Sequence, residues 1–104
     1  MIYIDNEKEL NKLVEEGITM VDFYANWCGP CKMLATVIDD LEEEATDVKF
    51  AKVNVDDAPE LARKYKISAI PALFFFKDGK LVNSELGFKT LDDLKQLLEE
   101  VKGK

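Results

Sequence analysis

Val21-Asp22-Phe23-Tyr24-Ala25-Asn26-Trp27-Cys28-Gly29-Pro30-Cys31-Lys32 is the stretch whose reading decides the fold. Its first half continues Ile18-Thr19-Met20 as a run apolar on both alternating faces, the pattern of a strand covered from both sides. Its second half turns sharply through Gly29 and Pro30. A helical run follows from Lys32 to about Ala45, with Leu34, Val37, Ile38 and Leu41 recurring at helical spacing. A buried strand that feeds a helix, with two cysteines at the junction, is the expected beginning of a β-α-β unit.

Toward the N-terminus, Ile2-Tyr3-Ile4 reads as a short first strand. Asn6 and Glu9 have the spacing of a capping box, and Leu10, Leu13 and Val14 share one helical face until Gly17. Toward the C-terminus, Val48 to Val55 is β-branched enough for a strand, and Pro59 suits the first turn of a short helix reaching about Tyr65. Ala72 to Phe76, Asp78-Gly79 and Leu81 to Leu86 read as a hairpin on a type I′ turn. Thr90 then caps a helix whose Leu91, Leu94, Leu98 and Val101 face inward. The order βαβαβαββα predicts an α/β fold: a central mixed sheet of about five strands flanked by four helices, because parallel strands require crossovers. No linker or repeat interrupts it, so residues 1–104 are expected to form one domain.

Composition narrows the function. Hydrophobic residues make up 47% of the 104, enough for a core without disulfide staples. Twenty-one acidic against 14 basic residues give a net charge of −7, and Arg63 is the only arginine, which argues against nucleic acid as a partner. The longest apolar run, Ala69 to Phe76, is too short to span a bilayer, so no membrane partner is expected. The N-terminus turns acidic at Asp5, unlike a signal peptide, and a cytoplasmic location is expected.

Cys28 and Cys31 are the only cysteines, and a bridge between them closes too short a loop to restrict the unfolded chain much. Their spacing points to chemistry. At a helix start, unpaired N–H groups and the positive dipole end favour an anion at Cys28, and the thiolate is the attacking species. Cys31, one turn on, is placed to attack Cys28 once a partner is bound there. Gly29 permits a close turn, and Pro30 presets the first helical φ. Two other uses compete. Half a zinc site would need two more ligands, and with no histidine and no second cysteine pair only a bridged dimer or carboxylates would supply them. An inert pair packed as small apolar residues is the other. A CxxC opening a helix after a strand favours redox chemistry, with neither metal nor organic cofactor.

Asp22 interrupts an apolar strand, where a bare carboxylate is costly; it is paired, hydrogen-bonded or protonated, or else it points into a solvated sheet end. Pro71, read from the residues alone, fits a trans proline that starts a strand.

Trp27-Cys28-Gly29-Pro30-Cys31-Lys32 after Val21-Asp22-Phe23-Tyr24-Ala25 closely resembles the thioredoxin family. Supporting segments follow in order: Ala51-Lys52-Val53-Asn54-Val55-Asp56, Ile70-Pro71, Phe76-Lys77-Asp78-Gly79 and Gly87. The resemblance implies Cys28 as nucleophile, Cys31 as resolving thiol, Asp22 as proton acceptor and Lys52 as its charge partner. It also implies a cis Pro71 that presents the backbone of Ile70 to an extended substrate. Trp27, Gly29, Pro30, Ile70, Pro71, Gly87 and Phe88 would form a flat apolar docking surface around Cys28. Four positions depart from common family patterns: Tyr24 for tryptophan, Thr36 for proline, Ala72 for threonine, and the variable Ala69. The Gly-Pro dipeptide resembles reducing members, since oxidases usually carry histidine there. The expected protein is a monomeric general protein-disulfide reductase, acting on disulfide-containing proteins and recharged by a separate thioredoxin reductase. A reductase dedicated to one enzyme, or a binding module with incidental thiols, would share much of this sequence.

Overall fold

Seven residues from Ile18 to Tyr24 form the central strand, and every other element is placed by how it covers or extends it. In the computed structural model, which describes residues 1–104, the chain runs β1 (Ile2–Tyr3), α1 (Glu7–Val14), β2 (Ile18–Tyr24), α2 (Gly29–Glu44) and β3 (Val48–Asn54). It continues through α3 (Pro59–Lys64), β4 (Ala72–Lys77), β5 (Lys80–Leu86) and α4 (Leu91–Lys102). The strands lie in the order β1-β3-β2-β4-β5. β1, β3 and β2 are mutually parallel, because helices return the chain between them; β4 and β5 are antiparallel.

Alternation along β2 sends side chains to two cores. Val21 and Phe23 pack with Leu10 and Val14 of α1 and Leu61 of α3. Met20 packs on the opposite face with Leu34, Ile38 and Leu41 of α2 and Leu94, Leu98 and Val101 of α4. Burying each large apolar side chain contributes roughly 1.5–3 kcal/mol, against about 1–2 kcal/mol of backbone entropy per ordered residue. Phe23, Tyr65 and Phe74 add tilted and edge-on ring contacts with centroids 5.2–5.9 Å apart, on the face away from α2.

Local signals acted largely as their chemistry dictates. Thr90 and Asp93 form a reciprocal capping box on α4. At α1 only half of the expected box exists: Asn6 accepts the Glu9 amide at 2.9 Å, but the Glu9 carboxylate returns no bond. Its N-cap instead donates sideways, from Asn6 Nδ2 to Asp5. Asp78 and Gly79 both take positive φ, 50° and 85°, as a type I′ turn requires. The turn is tied back to the end of α1 by Asp78 Oδ1, which accepts the Gly17 amide at 2.8 Å. α2 runs unbroken through Thr36, whose hydroxyl donates to the Met33 carbonyl at 2.8 Å.

Candidate functional site

Cys28 is the N-cap of α2. Its φ and ψ of −92° and 110° are extended, and its sulfur accepts the Cys31 amide at 3.2 Å, the place an N-capping oxygen normally takes. Gly29 and Pro30 fill the first helical positions, where an N–H would have no intrahelical partner. No acidic side chain occupies the first turn, so the positive dipole end is left to the sulfur. Cys28 and Cys31 are joined as a disulfide, with Cα atoms 5.2 Å apart.

Neither cysteine is open to solvent in this disulfide form. Both are buried, at 6% and 3% exposure, in a small cluster with Ala25, against which Tyr24, Val55 and Ile70 pack. The Cys28 sulfur lies 4.0 Å from the Ile70 carbonyl oxygen. The Ile70–Pro71 peptide is cis. Pro71 itself is buried, which corrects its expected place on an exposed apolar face. It contributes a carbonyl instead, accepting the Gly87 amide at 2.8 Å. Gly87 makes that approach at φ +86°, a conformation other residues adopt only under strain.

Around this centre Gly29 and Pro30 are exposed, Ile70 is half-buried, and Trp27 and Phe88 are 71% and 40% exposed. Trp27 and Ile70 line one apolar groove with Val55, Ala62, Ile67 and Ala69. Trp27 is not loose: its Nε1 donates to Asp56 Oδ2 at 2.9 Å. Asp56 was not singled out from the sequence. The available signal was register, since Tyr24 aligns with Asn54 and so puts the residues just beyond both strands side by side.

Asp22 lies on the α2 side of β2, directly opposite Lys52 in the parallel register. It is 2% exposed, and its Oδ1 has no hydrogen-bond partner. Burial pushes its carboxyl up from an ordinary 3.8 to about 7, with Lys52 opposing the rise. Asp22, Lys52 and Cys31 line one cavity of about 140 Å3, together with Met1, Tyr24, Lys32 and Ala35. Burial also raises the Tyr24 phenol, assisted by Asp57 and Asp22. The structure therefore puts a poorly solvated carboxyl on the same cavity as the second cysteine. No group of three or more histidine, cysteine or acidic side chains is arranged to hold a metal ion, and no helix is long and apolar enough to cross a membrane.

The family profile described as Thioredoxin matches residues 2–100. The chain is 42% identical over 100 residues to a thioredoxin of Chlamydia caviae, covering 96% of this chain and 98% of that one. It is 43% identical over 86 residues to a thioredoxin of Bacillus subtilis, covering 82% and 83%. Among solved structures, thioredoxin of Fasciola hepatica superposes with a TM-score of 0.90 at 36% identity, over 96% of this chain and 98% of that one. The oxidised form of mitochondrial thioredoxin 3 from Saccharomyces cerevisiae also gives 0.90, at 31% identity, over 96% and 94%. With near-full-length likeness in sequence and in fold, and a cysteine pair capping α2, the chain belongs to the thioredoxin family and is a thiol–disulfide oxidoreductase.

Proposed function

We propose that this protein is a general protein-disulfide reductase. The observation that carries the reading is the sulfur of Cys28 at the N-cap of α2, accepting a backbone amide where a thiolate is stabilised once the disulfide is open. The reduced Cys28 thiolate attacks one sulfur of a target disulfide. The S–S bond breaks, a mixed disulfide forms, and the target's other sulfur leaves as a thiolate that takes up a proton. Cys31 then gives its proton to Asp22 and attacks the Cys28 sulfur. The target's second thiolate is released, and Cys28 and Cys31 end as a disulfide. Two electrons have passed to the target, and a separate thioredoxin reductase restores the dithiol.

In this reading Lys52 is the charge partner of Asp22. Trp27, Ile70, Gly87 and Phe88 receive the target, and Pro71 holds the loop that presents the Ile70 backbone. The protein works as a cytoplasmic monomer of one domain, in electron transport and redox homeostasis, with proteins that carry reducible disulfides as its partners.

The test is trapping. Cys31→Ser should accumulate mixed disulfides with target proteins, because no internal thiol remains to release them, whereas Cys28→Ser should trap none. Both variants should lose catalytic turnover of an insulin-type disulfide with a dithiol reductant. Equal trapping by the two variants would overturn the roles, and a double variant that retains full turnover would overturn the function.

A further inference from the structure

The charge partner of Asp22 is shared with another group. Lys52 stands opposite Asp22 across β2 and β3, yet all four ion pairs of the protein involve other residues. Asp22 Oδ1 is left without a hydrogen-bond partner. The Lys52 ammonium lies instead over the ring of Tyr24, 5.9 Å from its centroid. Tyr24 follows Asp22 by two residues on one strand, so both side chains leave the sheet on the same face. With Lys52 and Cys31 they line the same cavity. The negative face of an aromatic ring attracts an ammonium out to about 6 Å. An ammonium retained there is kept from closing on the carboxylate, whose charged form it would otherwise favour strongly.

We infer that Tyr24 is a positioning residue for proton transfer: its ring holds the Lys52 ammonium off Asp22, and so keeps that carboxyl a base able to accept the proton of Cys31. The inference deepens, and rests on, the proposed role of Asp22 as proton acceptor. A closed Lys52–Asp22 pair would stabilise the carboxylate and weaken it as a base. The other groups facing the cavity leave Lys52 as the charge that Tyr24 controls. From α2 come Lys32 and Cys31, and the amino group of Met1 is already paired with Glu42 at 3.1 Å. From β4 the neighbour in register is the uncharged Leu73. Asp57, whose charge helps raise the Tyr24 phenol, accepts the Tyr3 hydroxyl at 2.7 Å and does not line the cavity.

The test is a carboxyl-resolved NMR titration of Asp22 in the disulfide form, where neither cysteine titrates. Tyr24→Leu should lower the Asp22 pKa by roughly half a unit, the scale of a modest cation–π contact. Tyr24→Phe keeps the ring face and should leave the pKa near its starting value. Tyr24→Met fills similar space without a ring and replaces the leucine variant should that fold poorly. In a Lys52→Met background the Tyr24→Leu shift should vanish, because the charge it releases is gone. Equal shifts in both backgrounds would mean that the ring acts only by excluding water, and would overturn the inference; so would no shift, or a phenylalanine shift equal to leucine's. This titration reads Tyr24 whether or not Asp22 takes part in resolution. Normal single-turnover kinetics of Asp22→Asn would defeat the relay itself, a separate result.

Discussion

Thr19 and Asp22 lie three residues apart on β2, both almost fully buried, and they hold the only two buried side-chain polar atoms without a hydrogen-bond partner. Thr19 follows the Val21 and Phe23 side, beside Lys49 and Phe76 in register, and its hydroxyl meets an apolar core. Asp22 faces the other way, onto a cavity it shares with Cys31 and Lys52. A neutral hydroxyl left unpaired is a modest defect whose size does not depend on pH. An unpaired carboxyl can remove its penalty by holding a proton, so the same local deficiency becomes a titratable group beside a thiol. Chemistry at one end of the strand, slack at the other.

The largest effect that would sharpen this contrast is on stability. In the unfolded chain Asp22 ionises near 3.8, and in the folded protein near 7, so between those values the folded state holds the extra proton. Stability contributed by that proton is complete below about pH 4, falls as the pH rises to about 7, and is constant above. A rise of that size corresponds to roughly 4 kcal/mol. Urea unfolding of the disulfide form should therefore find Asp22→Asn close to wild type at pH 3–4 and more stable by up to about 4 kcal/mol at pH 8. A constant difference across that range would contradict the titration.

Thr19→Val should stabilise by about 1 kcal/mol at every pH, since it keeps the shape and removes an unsatisfied hydroxyl. It should leave disulfide reduction unchanged. A destabilised valine variant would show that the hydroxyl is satisfied after all.

How legible these sites were in the sequence follows from the chemistry of each residue. Asp22 announced itself, because a carboxylate inside a run apolar on both alternating faces must be paired, hydrogen-bonded or protonated unless it reaches a solvated sheet end. Thr19 did not, because threonine is at home in strands, and only the neighbours decide whether its hydroxyl finds a partner. The order of elements was legible because α1, α2 and α4 carry apolar stripes and several connections carry a glycine or proline, among them Gly17, Pro59, Gly79 and Gly87. The ends were less so: the Ile4 amide still bonds the Lys52 carbonyl, but the regular strand stops at Tyr3. Glu9 sits at the right spacing for a capping box yet stays half-engaged, since spacing alone does not orient an exposed side chain.

Asp56 was invisible for another reason. An aspartate after a strand reads as a turn residue, and only strand register brings it to Trp27. Asp56→Ala should free the indole and raise the KM for a protein disulfide by roughly two- to tenfold, the scale of one hydrogen bond, with kcat little changed. A drop in kcat at constant KM would move Trp27 from target docking into the chemical step.

The most direct measurement is single-turnover reduction of a protein disulfide across pH 5–9, comparing wild type with Asp22→Asn and with Thr19→Val as the control for an unpaired group elsewhere on the same strand. The account predicts that Asp22→Asn slows release of the reduced target near neutral pH and loses the inflection near 7, while Thr19→Val follows the wild-type curve. Superimposable profiles for wild type and Asp22→Asn would contradict it.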